Sequence, residues 1–251
     1  MSKRAPSAGE ESLKLVEDFV VELTNALDSL GGKTPTPNTL LSRYRFWSSK
    51  HLQRALAGFA FLRQSGRVDS SKFLVRPAIE MFIRLEAATK DPDLFYRIAA
   101  SEHRRDAQLL GESDRLSKDK TQSKVNWKQF EEDWQRFKDA FTREFPNVSK
   151  SDAELDMASA AEKAGLKPFY SSHYRIYSQY THGALRASTG TLDPATDLED
   201  NRIMAICALG ALNALVSLGA KSPNQGNLVE GLQRVCPGEG GKEQTTLEQP
   251  L

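Results

Sequence analysis

The chain has 251 residues, 39% of them hydrophobic and 27% charged, which is enough apolar matter for a packed core and too much for a disordered chain. A formal net charge of +1 excludes a global pull toward nucleic acid or membrane, so any such attraction must come from local clustering. Two cysteines, Cys207 in an apolar run and Cys236 in a Gly/Pro-rich tail, suggest neither a disulfide framework nor a paired-cysteine metal site. With the polar start MSKRAPSAGEES they point to a reducing, cytoplasmic setting.

Residues 1 to 8 read as a disordered N-terminus. From about Glu10, Leu13, Val16, Phe19, Val20, Leu23, Ala26, Leu27 and Leu30 recur at threes and fours and predict an amphipathic helix, which Gly31 and Gly32 end. Lys33 to Asn38 carries two prolines and reads as a linker, after which Asn38 is expected to cap a second helix running to about Gln64. Its apolar stripe is Leu41, Tyr44, Trp47, Leu52, Ala55, Phe59 and Leu62. A third helix, from about Ser70 to Thr89, is apolar nearly all round and is broken by Asp91-Pro92. A fourth runs from about Asp93 to Leu110, and a charged connection, Gly111 to Lys124, leads to an amphipathic fifth from Trp127 to Phe145.

A short helix from about Lys150 to Ala164 stops at Gly165, and Lys167-Pro168 opens a tyrosine-rich helix from about Phe169 to Ala187. The last core helix spans about Leu198 to Leu218. Within it, Ile203 to Ala220 approaches the length of a membrane span, but Asn213 and Ser217 interrupt it and its Ala and Gly content suits a buried core helix. A short helix near Asn227 to Arg234 sits in an otherwise polar tail, residues 221 to 251. No segment alternates with period two, and none repeats at a fixed period. The expectation is an all-α, single-domain bundle of about seven helices over residues 9 to 220, with no membrane span.

On an ideal helix Arg175, Gln179, His182 and Arg186 fall within about 60° of one another, with Ser178 at the edge. Tyr170, Tyr174 and Tyr177 lie on the neighbouring face as core residues with polar tips. A satisfied core histidine and a structural arginine explain His182 and Arg175 equally simply. The third helix carries a second polar stripe, Arg76, Glu80 and Arg84, four apart among apolar neighbours. Arg76 and Glu80 form either an ordinary helical ion pair or a carboxylate that orients a cation on the tyrosine helix. Between Asn38 and Val68 lie Arg43, Arg45, Lys50, Arg54, Arg63 and Arg67 with no acid among them, a face for solvent, an acidic neighbour or phosphate. His103 beside Glu102 and Asp106 reads as surface, His51 as packing and Cys207 as a buried inert thiol. No glycine-rich phosphate loop, HExxH, GxSxG or metal-ligand pair occurs, so neither a metal nor a cofactor is expected.

FLVRPAIEMFIRL, residues 73 to 85, and YRIYSQYTHGALRAS, residues 174 to 188, together resemble a bacterial family of all-helical proteins of unknown function, over about residues 38 to 220. More loosely, Arg175 and His182, which enclose six residues, resemble the Arg…His pattern of HEPN domains, dimerising helical bundles that include nucleases; Ile176 departs from it, where those nucleases usually have a polar residue. The resemblance implies a HEPN-like, metal-independent ribonuclease in a toxin or phage-defence setting. His182 would act as general acid or base and Arg175 would stabilise the phosphorane across a homodimer. Tyr174, Ser178 and Gln179 would then position RNA phosphate, with Arg76 and Glu80 also in the substrate-binding set and Glu80 orienting the cationic groups. The competing expectation is a non-enzymatic binding or interaction module whose Arg76, Glu80, Arg175 and His182 cluster is a buried network that fixes helix register. A hydrolase or transferase acting on a small ligand in the same pocket is the third.

Overall fold

The computed structural model describes residues 8–32, 34–116, 126–151, 155–174, 176–178, 194–220, 228 and 230–231. Every regular element among them is helical, as expected of an all-α chain. The helices are α1 (Ala8–Gly31), α2 (Leu40–Gln64), α3 (Val68–Lys90), α4 (Pro92–Leu116), α5 (Trp127–Glu144), α6 (Met157–Lys163), α7 (Lys167–Phe169) and α8 (Pro194–Ser217). A π-helical turn, Tyr170–Tyr174, follows α7 directly. The chain gathers into two compact units, with boundaries inside α2, after Arg45, and inside α3, after Phe82.

The first unit holds α1, most of α2, the first part of α3, the segment from Ser171 and α8. Helix α1 buries Val16, Phe19, Val20, Leu23, Leu27 and Leu30, the stripe expected from its spacing, and packs on α8. Helix α8 is buried nearly all round, with Ala205, Ala208, Gly210 and Ala211 allowing close approach and Asn213 and Ser217 facing out. Gly210 lies against the Phe82 ring so closely that a Cβ there would overlap it. No helix among the described residues is long and apolar enough to cross a membrane. Burial pushes the Cys207 thiol far up, which leaves it an un-ionised packing group.

Helix α2 departs from its expected stripe. Trp47 is 55% exposed, and the buried side chains are Ser48, Ser49, Leu52, Gln53, Leu56, Phe59 and Arg63. Two of the polar residues on that face have partners inside the unit: the Gln53 amide donates to Asp28 of α1, and Arg63 enters the ionic cluster described below, whereas the buried Ser49 hydroxyl makes no hydrogen bond among the described residues. His51, expected to pack, is exposed.

In the second unit, residues 37 to 45 and 83 to 170, the start of α2 is capped by Thr39 and not by Asn38. Thr39 Oγ1 accepts from the Ser42 amide at 3.1 Å while the Thr39 amide donates to Ser42 Oγ at 3.0 Å, a reciprocal cap. The Glu144 carboxylate at the end of α5 accepts the Leu40 and Leu41 amides at 2.6 and 3.3 Å, placing an anion on the positive end of α2. Helix α4 runs through Gly111 to Leu116, six residues beyond the expected end at Leu110.

Helix α5 is capped by Asn126 and carries an unbroken aromatic face, Trp127, Phe130, Trp134, Phe137, Phe141 and Phe145, at spacings of three and four. Phe141 is fully buried among Phe95, Tyr96, Phe137 and Phe145. His103 of α4, half-buried, lies parallel to Phe130 and Trp134 with ring centres 4.4 and 4.5 Å away, and burial lowers its pKa. Gly165, with φ of 75°, adopts the left-handed conformation that ends α6, and the adjacent Ala164 carbonyl accepts from Lys90 Nζ.

Candidate functional site

In the first unit, α3 presents Lys72, Arg76 and Glu80 four residues apart, and these are the rungs of a polar ladder. Arg76 Nε donates to Glu80 Oε1 at 3.0 Å, the Tyr174 hydroxyl donates to the same oxygen at 3.0 Å, and Arg76 Nη2 donates to that hydroxyl at 3.3 Å. The guanidinium also lies over the Tyr174 ring, 5.4 Å from its centre. Burial and the Glu80 carboxylate both raise the Tyr174 pKa, so the phenol keeps its proton. Around Arg76, burial opposes the charge, but the hydrogen bonds to Glu80 and Tyr174 outweigh it and raise the pKa.

Two helical turns toward the start of α3, the ladder goes deeper. The Asp200 carboxylate, 0% exposed, accepts from the Tyr177 hydroxyl. Lys72 Nζ lies 3.6 Å from Asp197 and 3.9 Å from Asp200, and Arg63 of α2 lies 3.7 Å from each of them. Arg63 Nε also donates to Glu17 of α1 at 3.1 Å. Two cations thus face two carboxylates in the core at ion-pair distance, with the Tyr177 hydroxyl and Glu17 closing in on them. Burial pushes the Asp200 pKa up to about 6, against the opposing pull of Tyr177, Lys72 and Arg63.

The residues from 170 to 178 tie α3 to α8. Tyr174 meets Arg76 and Glu80, Tyr177 meets Asp200, and His173 Nδ1 lies 3.4 Å from Glu199 of α8. The π turn is part of this arrangement: its wider ring departs from the 100° step of an α-helix, so the wheel that aligned the tyrosine-rich stretch does not apply across it.

Of the residues singled out in the sequence, Arg76 and Glu80 meet Tyr174, which the helical wheel had set on the core face beside the polar stripe. Arg84 does not join them: it pairs with Glu102 of α4 at 2.9 Å in the second unit. Ser178 is half-buried. Arg175, Gln179, His182 and Arg186 lie outside the described residues. Sequence reasoning missed Lys72, Asp197 and Asp200, and named Arg63 only within a basic run. The available signal was a pair of aspartates three apart at the head of the alanine-rich helix, facing a lysine one turn before Arg76. Among the described residues no group of His, Cys, Asp and Glu is placed to hold a metal ion.

Residues 46–201 match a family of unknown function, DUF5677, and the chain belongs to that family. Neither a curated protein nor a solved structure matches it.

Proposed function

We propose that this member of a family of unknown function is a non-enzymatic helical binding module whose α3 ionic residues fix the register of its helices. The observation that carries this reading is the ladder itself: Arg76 and Glu80 are tied to Tyr174, while Lys72 faces Asp197 and Asp200, all within one unit. Breaking such pairs leaves a buried charge uncompensated, so they specify one helix arrangement strongly. The reading extends to one bundle domain over residues 9 to 220 in a cytoplasmic protein.

A second reading is a HEPN-like, metal-independent ribonuclease acting as a homodimer in a toxin or phage-defence setting. It draws on Tyr174, which Arg76 and Glu80 anchor and which directly precedes Arg175 in the chain. Arg175 and His182 would be catalytic, and Tyr174, Ser178 and Gln179 would hold the phosphate.

One experiment separates the two. Purified protein and its His182→Ala variant are incubated with labelled RNA in EDTA. The module reading expects no cleavage by either protein, whereas cleavage that survives chelation and disappears in the variant overturns it in favour of the nuclease.

A further inference from the structure

The second unit carries a groove that the ladder does not touch. Leu40, Phe137 and Ala140 line it together with Arg43 of α2, Arg136 and Arg143 of α5, and Asp139. Its volume is about 450 Å³, within the range of small-ligand clefts. The three arginines are exposed, whereas Leu40, Phe137 and Ala140 are half-buried and apolar.

The charges in this groove are unequally committed. Arg136 pairs with Asp133 at 2.9 Å, and Asp139 accepts from Gln135 at 2.8 Å. The guanidinium groups of Arg43 and Arg143 make no hydrogen bond or ion pair among the described residues. Glu144, next to Arg143 in the chain, forms no ion pair with either of them; its two oxygens accept amides at the start of α2. Arg136, Ala140 and Arg143 follow at spacings of four and three on one face of α5, so two cations are separated by about 10.5 Å of helical rise. The third stands opposite, on the first turn of α2.

Cations spread along a groove, with an apolar aromatic floor between them, suit a chain of phosphates whose bases can lie against a ring. A lone phosphate would use the arginines and leave uncovered Leu40 and the part of Phe137 that lines the groove, the ring otherwise being stacked on Trp134 and packed against Phe95, Tyr96 and Phe141. We propose that this groove binds single-stranded RNA, with Arg43 and Arg143 on the phosphodiester backbone and a base against Phe137. This goes beyond the module reading by naming a ligand, and it uses residues of the other unit.

The test is fluorescence anisotropy of the full chain with a labelled single-stranded RNA of about twelve nucleotides, titrated between about 50 and 200 mM salt. The wild-type protein is expected to bind with salt-dependent affinity. Arg43→Glu with Arg143→Glu should weaken binding by about tenfold or more and reduce the salt slope by about 1.4, some 0.7 for each lost phosphate contact. Both side chains are exposed and uncommitted, so the double variant should keep the parent's circular dichroism melt. An abasic oligomer of the same length should bind several-fold more weakly. Absence of wild-type binding, retention of affinity within twofold in the double variant, or equal affinity for the abasic oligomer would each overturn the assignment. Cleavage is read separately with His182→Ala, so loss of the groove leaves the choice between module and nuclease unaffected.

Discussion

Asp200 is the residue whose titration most directly probes the core cluster. Its carboxylate faces Arg63 from α2, Lys72 from α3, the Tyr177 hydroxyl and Asp197 on its own helix, yet burial holds its pKa at about 6, above the ordinary 3.8. A folded-state pKa above the unfolded one means that the native protein binds the proton more tightly, so stability should rise as pH falls from about 6 toward 4. Across the full shift this amounts to about 3 kcal/mol, of which about 1 kcal/mol appears between pH 7 and pH 5. Asp200→Asn removes the titration while keeping a carbonyl oxygen for Tyr177. Urea unfolding of both proteins at pH 7 and pH 5 isolates the effect as a difference of differences: the parent should gain about 1 kcal/mol relative to the variant on acidification. A gap that is constant, or that moves the other way, would mean that Arg63 and Lys72 at 3.7 and 3.9 Å outweigh burial and hold the carboxylate ionised.

Three further changes test the packing. Tyr174→Phe deletes the hydroxyl shared by Arg76 and Glu80 but keeps the ring under the guanidinium, and should lower stability by about 1 kcal/mol in a chemical melt. Gly210→Ala drives a methyl group into the Phe82 ring and should cost about 1 to 3 kcal/mol, whereas Gly32→Ala, with open space around it, should cost far less. Glu144→Ala strips the acceptor from the Leu40 and Leu41 amides and should cost about 1 kcal/mol, detectable as a lowered urea midpoint with an unchanged slope.

The helical class was legible because α1 and α3 are written at helical spacing, and the α1 stripe from Val16 to Leu30 is buried as its periodicity demands. Helix α2 was misread because hydrophobicity alone assigned its face: Trp47 looks like core, while Ser48, Ser49, Gln53 and Arg63 do not; Gln53 and Arg63 are buried with partners on other helices, and Ser48 and Ser49 are small enough to be buried there. Such partners lie far apart in sequence, as Arg63 and Asp197 do, and no local pattern encodes them. Arg76 and Glu80 were legible because a charge on a greasy helix requires a partner, and the partner fell on Tyr174. The π turn at Tyr170–Tyr174 carries no comparable signature in its residue types, so an unbroken α-helical wheel was the natural and incomplete reading.

The Arg76 site can be asked directly whether it serves structure or phosphate. A phosphate approaching Arg76 must compete with the Glu80 carboxylate at 3.0 Å, which holds the guanidinium and repels any second anion. Glu80→Gln keeps the shape and removes that anion. In a structural ladder the change weakens a charge-assisted hydrogen bond to Arg76 and another from Tyr174, costing about 1 to 2 kcal/mol, and leaves RNA affinity where it was. In a phosphate site, the same substitution releases Arg76 toward the ligand, so RNA affinity rises even as the fold loosens. Measuring both quantities on one variant separates the roles, because stability alone falls in either case and only the sign of the affinity change tells them apart.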